Sequence, residues 1–572
     1  MDITYDPDVA TPPRRYVPDA FDAADPDALE RLGTELIGRQ VGNPAAFEAW
    51  VLDWSDLARA FRAARQRRRI AVTRDTLDTA ARDAHLAFEK GIVPRWRHLE
   101  DAFRRRYLES PFRKGLSPRF EMLDRSLASA QALFREANVR LLSDEEEVAL
   151  RYSRLAGKRT VTLRGKPMRE QECAALLEDP DRALRRDAYL ALADARAADA
   201  EETEAIFDEL TTLRHRIATN AGCKDYREFR FRDLQRFDYG PLECSQFHEA
   251  VERHVVGPLT ARMEARKKAL RLDTLRPWDR FARPDGRTSP PAFADEPGLV
   301  DLGKGIFRAV DPGFDAQFDI LVRNGLLDLM ARSGKAPGGY NAELHDIRLP
   351  FIFANSVGRY ADVKTLLHEG GHAFHTLATR DEPVPELSHA PTEFCEVASM
   401  TMELFGLEHF DETLPGSEAR AVAIQMLENR LWLFAWVATI DAFQHWIYTH
   451  PGHTRGERRE TWRGLRRRFE PFLDWSGLEE AQAIDWHQQL HLFRYPFYYI
   501  EYGIAALGSL QVWQRFRRDR GAAIAGYRAA LALGGSRPLP ELFAAAGARF
   551  AMDGPAIADA VKGIVERLAE IE

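Results

Sequence analysis

Apolar residues recur at spacings of three and four along most of the chain, which is the pattern of amphipathic α-helices. One such stripe near the N-terminus consists of Phe47, Trp50, Val51, Trp54, Leu57 and Phe61. A second run with the same period covers residues 77–107. The two runs predict a pair of long helices that form an antiparallel hairpin. Helical patterns continue through most of the remaining sequence, so the expected fold class is mainly α.

Two short stretches depart from the helical period. Residues 159–166 alternate with β-branched residues and end at a Gly turn, which predicts a short strand or ribbon. Residues 348–355 form an apolar, aromatic run with Pro350 near its start. Proline is confined to edge strands or to strand beginnings, and we expect this run to be an exposed edge that can bind a peptide as an added strand. Residues 302–332, just before this region, are expected to be largely helical.

The length of the chain, 572 residues, exceeds that of a single ordinary core. We predict an N-terminal helical domain over residues 1–200, which contains the long hairpin, and a second domain over residues 201–572. A polar interval over residues 272–298 contains five prolines and is the clearest break in the sequence. We interpret it as a connecting loop within the second domain.

Composition and charge limit the partners and the cellular compartment that we expect. A formal net charge of -8 gives no general attraction to nucleic acid or to an anionic membrane. The four cysteines lack CxxC spacing and are too sparse for a disulfide framework. The N-terminus lacks the features of a signal peptide, and every apolar run is too short to span a membrane. We expect a cytoplasmic protein, a monomer or simple homo-oligomer, without nucleic-acid or membrane partners.

The main chemical signal is His-Glu-x-x-His at residues 368–372, within a helix predicted over residues 363–377. Residues i and i+4 lie on one face of a helix, so His368 and His372 can reach the same metal ion. Glu369 is then placed to deprotonate a metal-bound water. An ordinary amphipathic helix with a chance pair of histidines is the alternative interpretation.

Two adjacent glycines, Gly370 and Gly371, argue against that alternative. Each costs a helix interior about 1 kcal/mol relative to alanine, so a helix kept for stability alone would not contain the pair. Close approach of another backbone or of a substrate is the better reason for them. Three other histidines, His215, His248 and His254, lack a paired spacing and are expected at the surface.

The third metal ligand is expected on the next helix, predicted over residues 392–405. A catalytic zinc takes three protein ligands and keeps one position open, and this helix offers Glu393, Glu396 and Glu403. Apolar neighbours surround Glu396, where an unpaired carboxylate would be costly and coordination of a dication would offset the cost. A surface carboxylate is the alternative, and it suits Glu393 better. Glu403 lies on the same face and could hold a ligand histidine from behind.

A second constellation occupies residues 491–502, which hold one histidine and four tyrosines. Tyr O–H and His N–H groups can donate hydrogen bonds to the oxyanion of a tetrahedral intermediate. An aromatic core patch is the alternative interpretation of the same residues.

The sequence resembles the zinc oligopeptidases that include thimet oligopeptidase and oligoendopeptidase F, and it is closer to the oligoendopeptidase F branch. The resemblance rests on residues 368–375, on Glu-Val-Ala-Ser at 396–399 and on the segment 491–502. Residues 350–355 look like the substrate-binding edge strand of the family. The family fold implies a two-lobed helical zincin-type body with a deep channel, zinc at its floor and a small β-sheet next to the metal helix.

The resemblance supports the roles argued from the residues. It implies His368, His372 and Glu396 as ligands of zinc, with one Zn²⁺ expected per chain, and Glu369 as general base. The residues implied to border the transition state are His491, Tyr495, Tyr499 and Tyr502, with Tyr498 as an alternative donor. The residues expected to bind the substrate are Gly339, Tyr340, Phe351, Ile352, Phe353 and Ala354.

The activity expected from these residues is zinc-dependent endoproteolysis of short oligopeptides. A zinc exopeptidase is one alternative. A non-catalytic helical peptide-binding protein with a vestigial metal site is the other.

Overall fold

Helices dominate the computed structural model, which describes residues 13–572, and the prediction of a mainly α fold is confirmed. The helices before residue 290 are α1 Pro26–Gly38, α2 Pro44–Arg74, α3 Thr79–Gly91, α4 Val93–Glu109, α5 Glu121–Leu133, α6 Glu136–Lys158, α7 Glu170–Ala175, α8 Arg182–Ala198, α9 Ala200–Asn220, α10 Tyr226–Asp233, α11 Pro241–His254 and α12 Val256–Ala269. The later helices are α13 Glu296–Val310, α14 Pro312–Arg323, α15 Tyr360–Ala378, α16 Pro385–Ser388, α17 Thr392–Leu407, α18 Phe410–Thr413, α19 Gly416–Thr449, α20 Arg455–Phe469, α21 Glu479–Ala483, α22 Leu490–Arg494, α23 Ile500–Arg518, α24 Arg520–Leu531, α25 Leu539–Ala545 and α26 Gly554–Ile571. Among the described helices, none combines the length and apolarity needed to cross a membrane.

The strands form two small sheets. Their bounds are β1 Thr160–Leu163, β2 Lys166–Arg169, β3 Leu327–Met330, β4 Tyr340–Leu344 and β5 Leu349–Ser356. Strands β1 and β2 form the predicted ribbon through a turn at Arg164 and Gly165, both with positive φ. Positive φ at both central residues is the geometry of a tight hairpin.

Packing groups the chain into two compact units, each built from three segments. The first unit comprises the described residues up to 131 together with 290–423 and 508–550. The second comprises 132–289, 424–507 and 551–572. These units join segments that are distant in sequence. The predicted domain boundary between residues 200 and 201 stays a prediction.

The N-terminal hairpin forms its aromatic core as expected, but its second arm is not one helix. The prediction of a continuous helix over 77–107 is wrong, because α3 ends at Gly91 and α4 starts at Val93. Pro94 has no N–H for an intrahelical bond, which favours a helix start at this point. The apolar period runs through the break, and Trp96 of α4 still stacks on Phe61 of α2 at 4.6 Å between ring centroids.

The three-stranded sheet has the order β3-β5-β4, so β5 is its central strand. The prediction that residues 348–355 form an exposed edge is therefore wrong. Pro350 is tolerated because it stands at the start of β5, opposite Glu343 of β4. Pairing with β3 begins only at Ile352, which lies opposite Leu327. Because β3 does not pair with β5 at Pro350, the missing N–H of the proline costs no hydrogen bond on that side.

Strand β3 lies in a segment that was expected to be helical, residues 302–332. Helix α14 ends at Arg323, and Gly325 follows with φ of +61°. The N–H of Leu326 donates to the carbonyl of Leu321 at 2.9 Å, closing the helix in the manner of a Schellman motif. The chain then leaves the helix axis and pairs with β5.

The glycine pair allows close packing around α15. A Cβ atom on Gly371 would lie 2.6 Å from Cα of Ser399 and 2.7 Å from the carbonyl oxygen of Ala398, both in α17. A Cβ on Gly370 would lie 2.5 Å from the ring of Phe307 in α13. The close approach of another backbone, which the sequence suggested as the reason for the pair, is confirmed at Gly371.

Gly371→Ala is expected to destabilise the chain by about 2 kcal/mol. Overpacking commonly costs about 1–3 kcal/mol, and the upper end applies because only backbone atoms could give way, while the improved helix propensity of alanine returns about 1 kcal/mol. Because α17 also carries Glu396, the displaced helix should lower metal affinity. Denaturant unfolding and zinc titration measure the two effects.

Gly257→Ala in α12 is the matched control, because a Cβ there meets nothing within 4 Å. It should stabilise the chain by up to about 1 kcal/mol. A Gly371→Ala chain as stable as the unaltered one would contradict the packing argument.

Candidate metal centre

The candidate metal centre lies in the first unit, where α15 and α17 pack together. His368 and His372 on α15 and Glu396 on α17 each offer one atom, and these atoms all lie within 4.8 Å of one another. Oε2 of Glu396 is 3.4 Å from Nε2 of His368 and 3.9 Å from Nε2 of His372. The structure therefore brings together the three predicted ligands.

These separations fit a metal ion. Zinc bonds nitrogen and oxygen ligands at about 2.0–2.2 Å, so the ligand atoms of a tetrahedral site lie roughly 3.3 Å apart. Two imidazole nitrogens and one carboxylate oxygen also form a donor set that zinc takes in catalytic sites. The residues present thus fit the ion in both distance and chemistry.

Glu403 sets the orientation of the first histidine. Its Oε1 lies 2.7 Å from Nδ1 of His368. An ionised carboxylate only accepts hydrogen bonds, so Nδ1 carries the proton and the lone pair of Nε2 in the neutral ring faces Glu396. Two facing lone pairs repel each other unless a cation lies between them. The predicted outer role of Glu403 agrees with this geometry.

The charge of the site also calls for a cation. Glu369, Glu396 and Glu403 are all buried, and the half-exposed Lys364 lies 3.8 Å from Oε2 of Glu403. Burial, with added repulsion from the other two carboxylates, raises the pKa of Glu369 to about 7 against the attraction of His368. The pKa of His368 is raised despite its burial by its bond to Glu403 and by the nearby carboxylates. Without a metal, these raised pKa values would favour protonation of Glu369 and His368.

Glu369 has the surroundings of a proton acceptor. Its Oε2 is buried and makes no hydrogen bond within residues 13–572. A Cβ on Gly339 would lie 3.8 Å from Oε1 of Glu369 and 3.3 Å from the carbonyl oxygen of Phe353. Gly339, predicted as a substrate contact, thus leaves space beside the carboxylate.

The other predicted substrate residues divide into two groups. Phe351, Ile352, Phe353 and Ala354 belong to the central strand and are buried. They pack the core behind the site, so their backbone does not form the free edge that was predicted. Tyr340 starts the edge strand β4, and its hydroxyl lies 2.6 Å from Oγ1 of Thr73 in α2.

Sequence reasoning gave no role to Ser399 and Asn341. The Ser399 hydroxyl lies 3.1 Å from Oε2 of Glu396 and can orient that carboxylate. Its spacing of three residues from Glu396 on one helix was the available signal. The Asn341 amide approaches the carbonyl oxygen of Glu369 at 3.5 Å, and only the fold places these two together.

The aromatic cluster lies in the second unit, where α22 is followed by α23. The ring centroid of His491 lies 4.9 Å from that of Tyr499, 5.8 Å from Tyr498, 5.9 Å from Tyr502 and 6.1 Å from Tyr495. Burial lowers the pKa of His491 to about 4 and raises the pKa of Tyr499 to about 12. At neutral pH both side chains are uncharged and can donate a hydrogen bond. Tyr495 is the most exposed of the four tyrosines, at 44%.

A strained bend holds this cluster in place. Phe497, between the two helices, is fully buried and has a φ of +64°, a conformation that bulky residues adopt only when their surroundings impose it. The buried Gln444 side chain accepts from its N–H, and Arg236 donates to its carbonyl oxygen. Side-chain hydrogen bonds thus hold both backbone polar groups of Phe497 at the bend.

A second group of metal-capable residues occurs in the described chain, formed by Cys244, Asp441 and His445. Arg227 lies 3.2 Å from Nδ1 of His445 and can only donate, so the proton of this ring sits on Nε2, 3.2 Å from Asp441. Nε2 of His248 is 2.8 Å from the same carboxylate. The His248 contact is a hydrogen bond, whereas Nε2 of His445 and Oδ1 of Asp441 make none within residues 13–572. The expectation that His248 lies at the surface is wrong.

Glu403→Gln is expected to weaken zinc binding about 10- to 100-fold, the usual cost of losing a partner behind a ligand histidine. Zinc-saturated protein should keep most of its activity, because the three ligands remain. Competition with a chromophoric chelator measures the affinity.

Glu412→Gln is a matched control, because Glu412 pairs with Nδ1 of His409 at 3.2 Å away from the metal centre. It should leave zinc affinity unchanged. Equal affinities in Glu403→Gln and the unaltered chain would remove Glu403 from the site.

Comparison with known proteins agrees with this geometry. The sequence model of Peptidase family M3 matches residues 175–294 and 314–560, which is more than half of the chain. No curated protein matches it.

Solved structures similar to this chain include PZ peptidase A with an inhibitor, at 26% identity and a TM-score of 0.87, covering 97% of this chain and 98% of that one. A protein assigned as oligoendopeptidase F shares 28% identity with a TM-score of 0.86 and the same coverage. Another protein so assigned, from Bacillus anthracis str. Ames, is 23% identical with a TM-score of 0.84, covering 98% and 99% of the two chains, and shows likeness of fold.

Proposed function

Because this chain belongs to Peptidase family M3, we propose that it is a zinc-dependent endopeptidase that hydrolyses short oligopeptides. The observation that carries the proposal is the convergence of His368, His372 and Glu396 beside Glu369, whose buried Oε2 makes no hydrogen bond within residues 13–572. Oligopeptides are the proposed substrates because two of the similar structures are assigned as oligoendopeptidase F. One Zn²⁺ per chain is the proposed cofactor.

The proposed chemistry divides between the metal and the protein. When bound, zinc would supply Lewis-acid polarisation and make water more acidic. Glu369 accepts the proton of the attacking water and then delivers it to the leaving amine. Burial and neighbouring carboxylates raise its pKa to about 7, which suits a group that both takes and returns a proton at neutral pH.

The oxyanion that develops on the scissile carbonyl needs donors. We assign this role to the segment 491–502, with His491, Tyr499 and Tyr502 as the donors and with Tyr495 and Tyr498 as further candidates. Support comes from the uncharged state of His491 and Tyr499, since burial moves both pKa values away from neutrality. The cytoplasm is the proposed compartment, because the four cysteines are free, as is usual in a reducing environment.

Blocked peptides distinguish this proposal from the exopeptidase alternative. A set of short peptides with free termini is compared with the same set after N-terminal acetylation and C-terminal amidation, and products are identified by mass spectrometry. Internal cleavage of both sets is the expected result. If blocking abolishes cleavage, the enzyme is an exopeptidase.

Metal content tests the non-catalytic alternative. The purified chain should hold close to one zinc, and removal of the metal should stop hydrolysis. Much less than one zinc per chain, with no turnover after zinc is added, would support a peptide-binding protein.

A further inference from the structure

We propose that Trp436 and Gln489 are positioning residues that hold His491 as the tautomer with its proton on Nε2. The inference rests on the proposed role of His491 as a hydrogen-bond donor, and it deepens that role. All three residues lie in the second unit. Trp436 belongs to α19, and Gln489 immediately precedes α22, which carries His491.

The orientation of the Gln489 amide follows from its contact with Trp436. Nε1 of Trp436 lies 3.3 Å from Oε1 of Gln489. An indole N–H donates and cannot accept, so the amide oxygen faces Trp436 and the amide nitrogen faces away from it. The usual ambiguity between amide oxygen and nitrogen is thereby removed.

The second contact determines the state of the histidine. Nε2 of Gln489 lies 2.7 Å from Nδ1 of His491. An amide nitrogen can only donate, so Nδ1 must offer its lone pair. A neutral imidazole with an unprotonated Nδ1 carries its proton on Nε2. Gln489 thus leaves His491 with one donor, on the ring nitrogen that faces away from the amide.

Trp436 is a rigid anchor for this chain of contacts. Its side chain is buried, stacks on Trp432 at 5.4 Å between centroids and meets Trp462 edge-on at 5.8 Å. An indole packed on two sides has little freedom to release the amide.

Tyr499 belongs to the same network. Its hydroxyl lies within hydrogen-bonding reach of Trp436 and Gln489, and burial outweighs these bonds to raise its pKa to about 12. The rings of His491 and Tyr499 meet at 81° with 4.9 Å between centroids. Trp436 and Gln489 therefore position both His491, whose pKa is lowered, and Tyr499, whose pKa is raised.

Gln489→Glu tests the proposal with almost no change in volume. A carboxylate accepts but does not donate, so it would draw the proton of His491 onto Nδ1 and favour a charged ring. We expect kcat to fall about tenfold to a hundredfold, somewhat less than the loss of a whole oxyanion donor. KM should stay within about twofold and zinc content should be unchanged, since a donor to the transition state contributes little to substrate binding.

Gln488→Glu is the charge control, because it adds the same charge one residue earlier on an exposed side chain, at the cost of the hydrogen bond that Nε2 of Gln488 donates to Asp485. It should keep kcat within about twofold. Trp436→Phe should lower kcat less than Gln489→Glu, since the amide is released but can still donate. A Gln489→Glu chain with the kcat of the unaltered protein would overturn the proposal.

Histidine-selective ¹⁵N NMR reads the tautomer directly, with the His491 signals identified by their loss in His491→Asn. The full chain should show Nε2 protonated and Nδ1 unprotonated, and Gln489→Glu should reverse or charge the ring. Protonation of Nδ1 in the unaltered chain would overturn the inference. The proposed role of His491 fails separately, if His491→Asn keeps the kcat of the unaltered protein.

Discussion

Glu369→Gln is expected to bind as much zinc as the unaltered chain and to lose peptidase activity by about 10²- to 10⁴-fold, the range set by general acid–base catalysis. The amide has nearly the same volume as the carboxylate, so packing between α15 and its neighbours is preserved. It cannot take a proton from water, and the loss should appear in kcat. Steady-state kinetics on a defined peptide, with metal analysis of the same samples, measures both quantities.

Glu412→Gln serves again as the control, since it makes the same chemical change on the half-exposed α18 without contact to the metal centre. Retained turnover in Glu369→Gln with full zinc would exclude Glu369 as the proton acceptor. Loss of zinc together with activity would instead give Glu369 a role in holding the metal.

Glu396→Gln is expected to have the second large effect, a loss of zinc affinity well beyond the roughly 10- to 100-fold predicted for Glu403→Gln. A neutral amide oxygen is a poorer ligand than a carboxylate, and the dication loses one of its compensating charges. Activity should fall in parallel at any zinc concentration that does not saturate the site.

In the metal-free protein, Glu396→Gln should not destabilise the fold and can stabilise it. Without a cation, Glu396 lies buried near Glu369 and Glu403, so removing its charge relieves repulsion. Melting temperatures measured with chelator should therefore be equal or higher in Glu396→Gln, while the increase produced by zinc should disappear. A lower melting temperature in chelator, with unchanged zinc affinity, would mean that Glu396 serves structure and not metal binding.

Local spacing explains why so much of the metal centre could be predicted from the sequence. His368 and His372 are one helical turn apart, so the pair can be recognised within five consecutive residues. Glu396 required a second helix, but its apolar neighbours indicated that a buried carboxylate there needs a cation. The geometry of the three donor atoms agrees with both steps.

Pairing between distant segments explains the main errors. Pro350 allows two positions, an edge strand or a strand start, and the choice depends on β3, which begins 23 residues earlier at Leu327. Asn324-Gly325 interrupts the helical passage, but the residues of β3, Leu-Asp-Leu-Met, include no β-branched or aromatic residue that would indicate a strand. The sequence therefore predicted an edge where the fold has a central strand.

The roles of several single residues depend on tertiary contacts. The glycine pair indicated a close approach, but only the fold shows that Gly371 meets the backbone of α17 and Gly370 the ring of Phe307. Trp436 and Gln489 are 53 residues apart, and no motif connects them. Such contacts cannot be inferred from composition or period.

The most direct test of the account is a zinc titration of metal-free protein, with bound zinc and hydrolysis of an internally cleaved, end-blocked peptide measured in the same samples. We expect no hydrolysis without metal, and activity and bound zinc that rise together to a plateau at one zinc per chain. Peptide cleavage by the metal-free protein at the rate of the zinc-loaded protein would contradict the account.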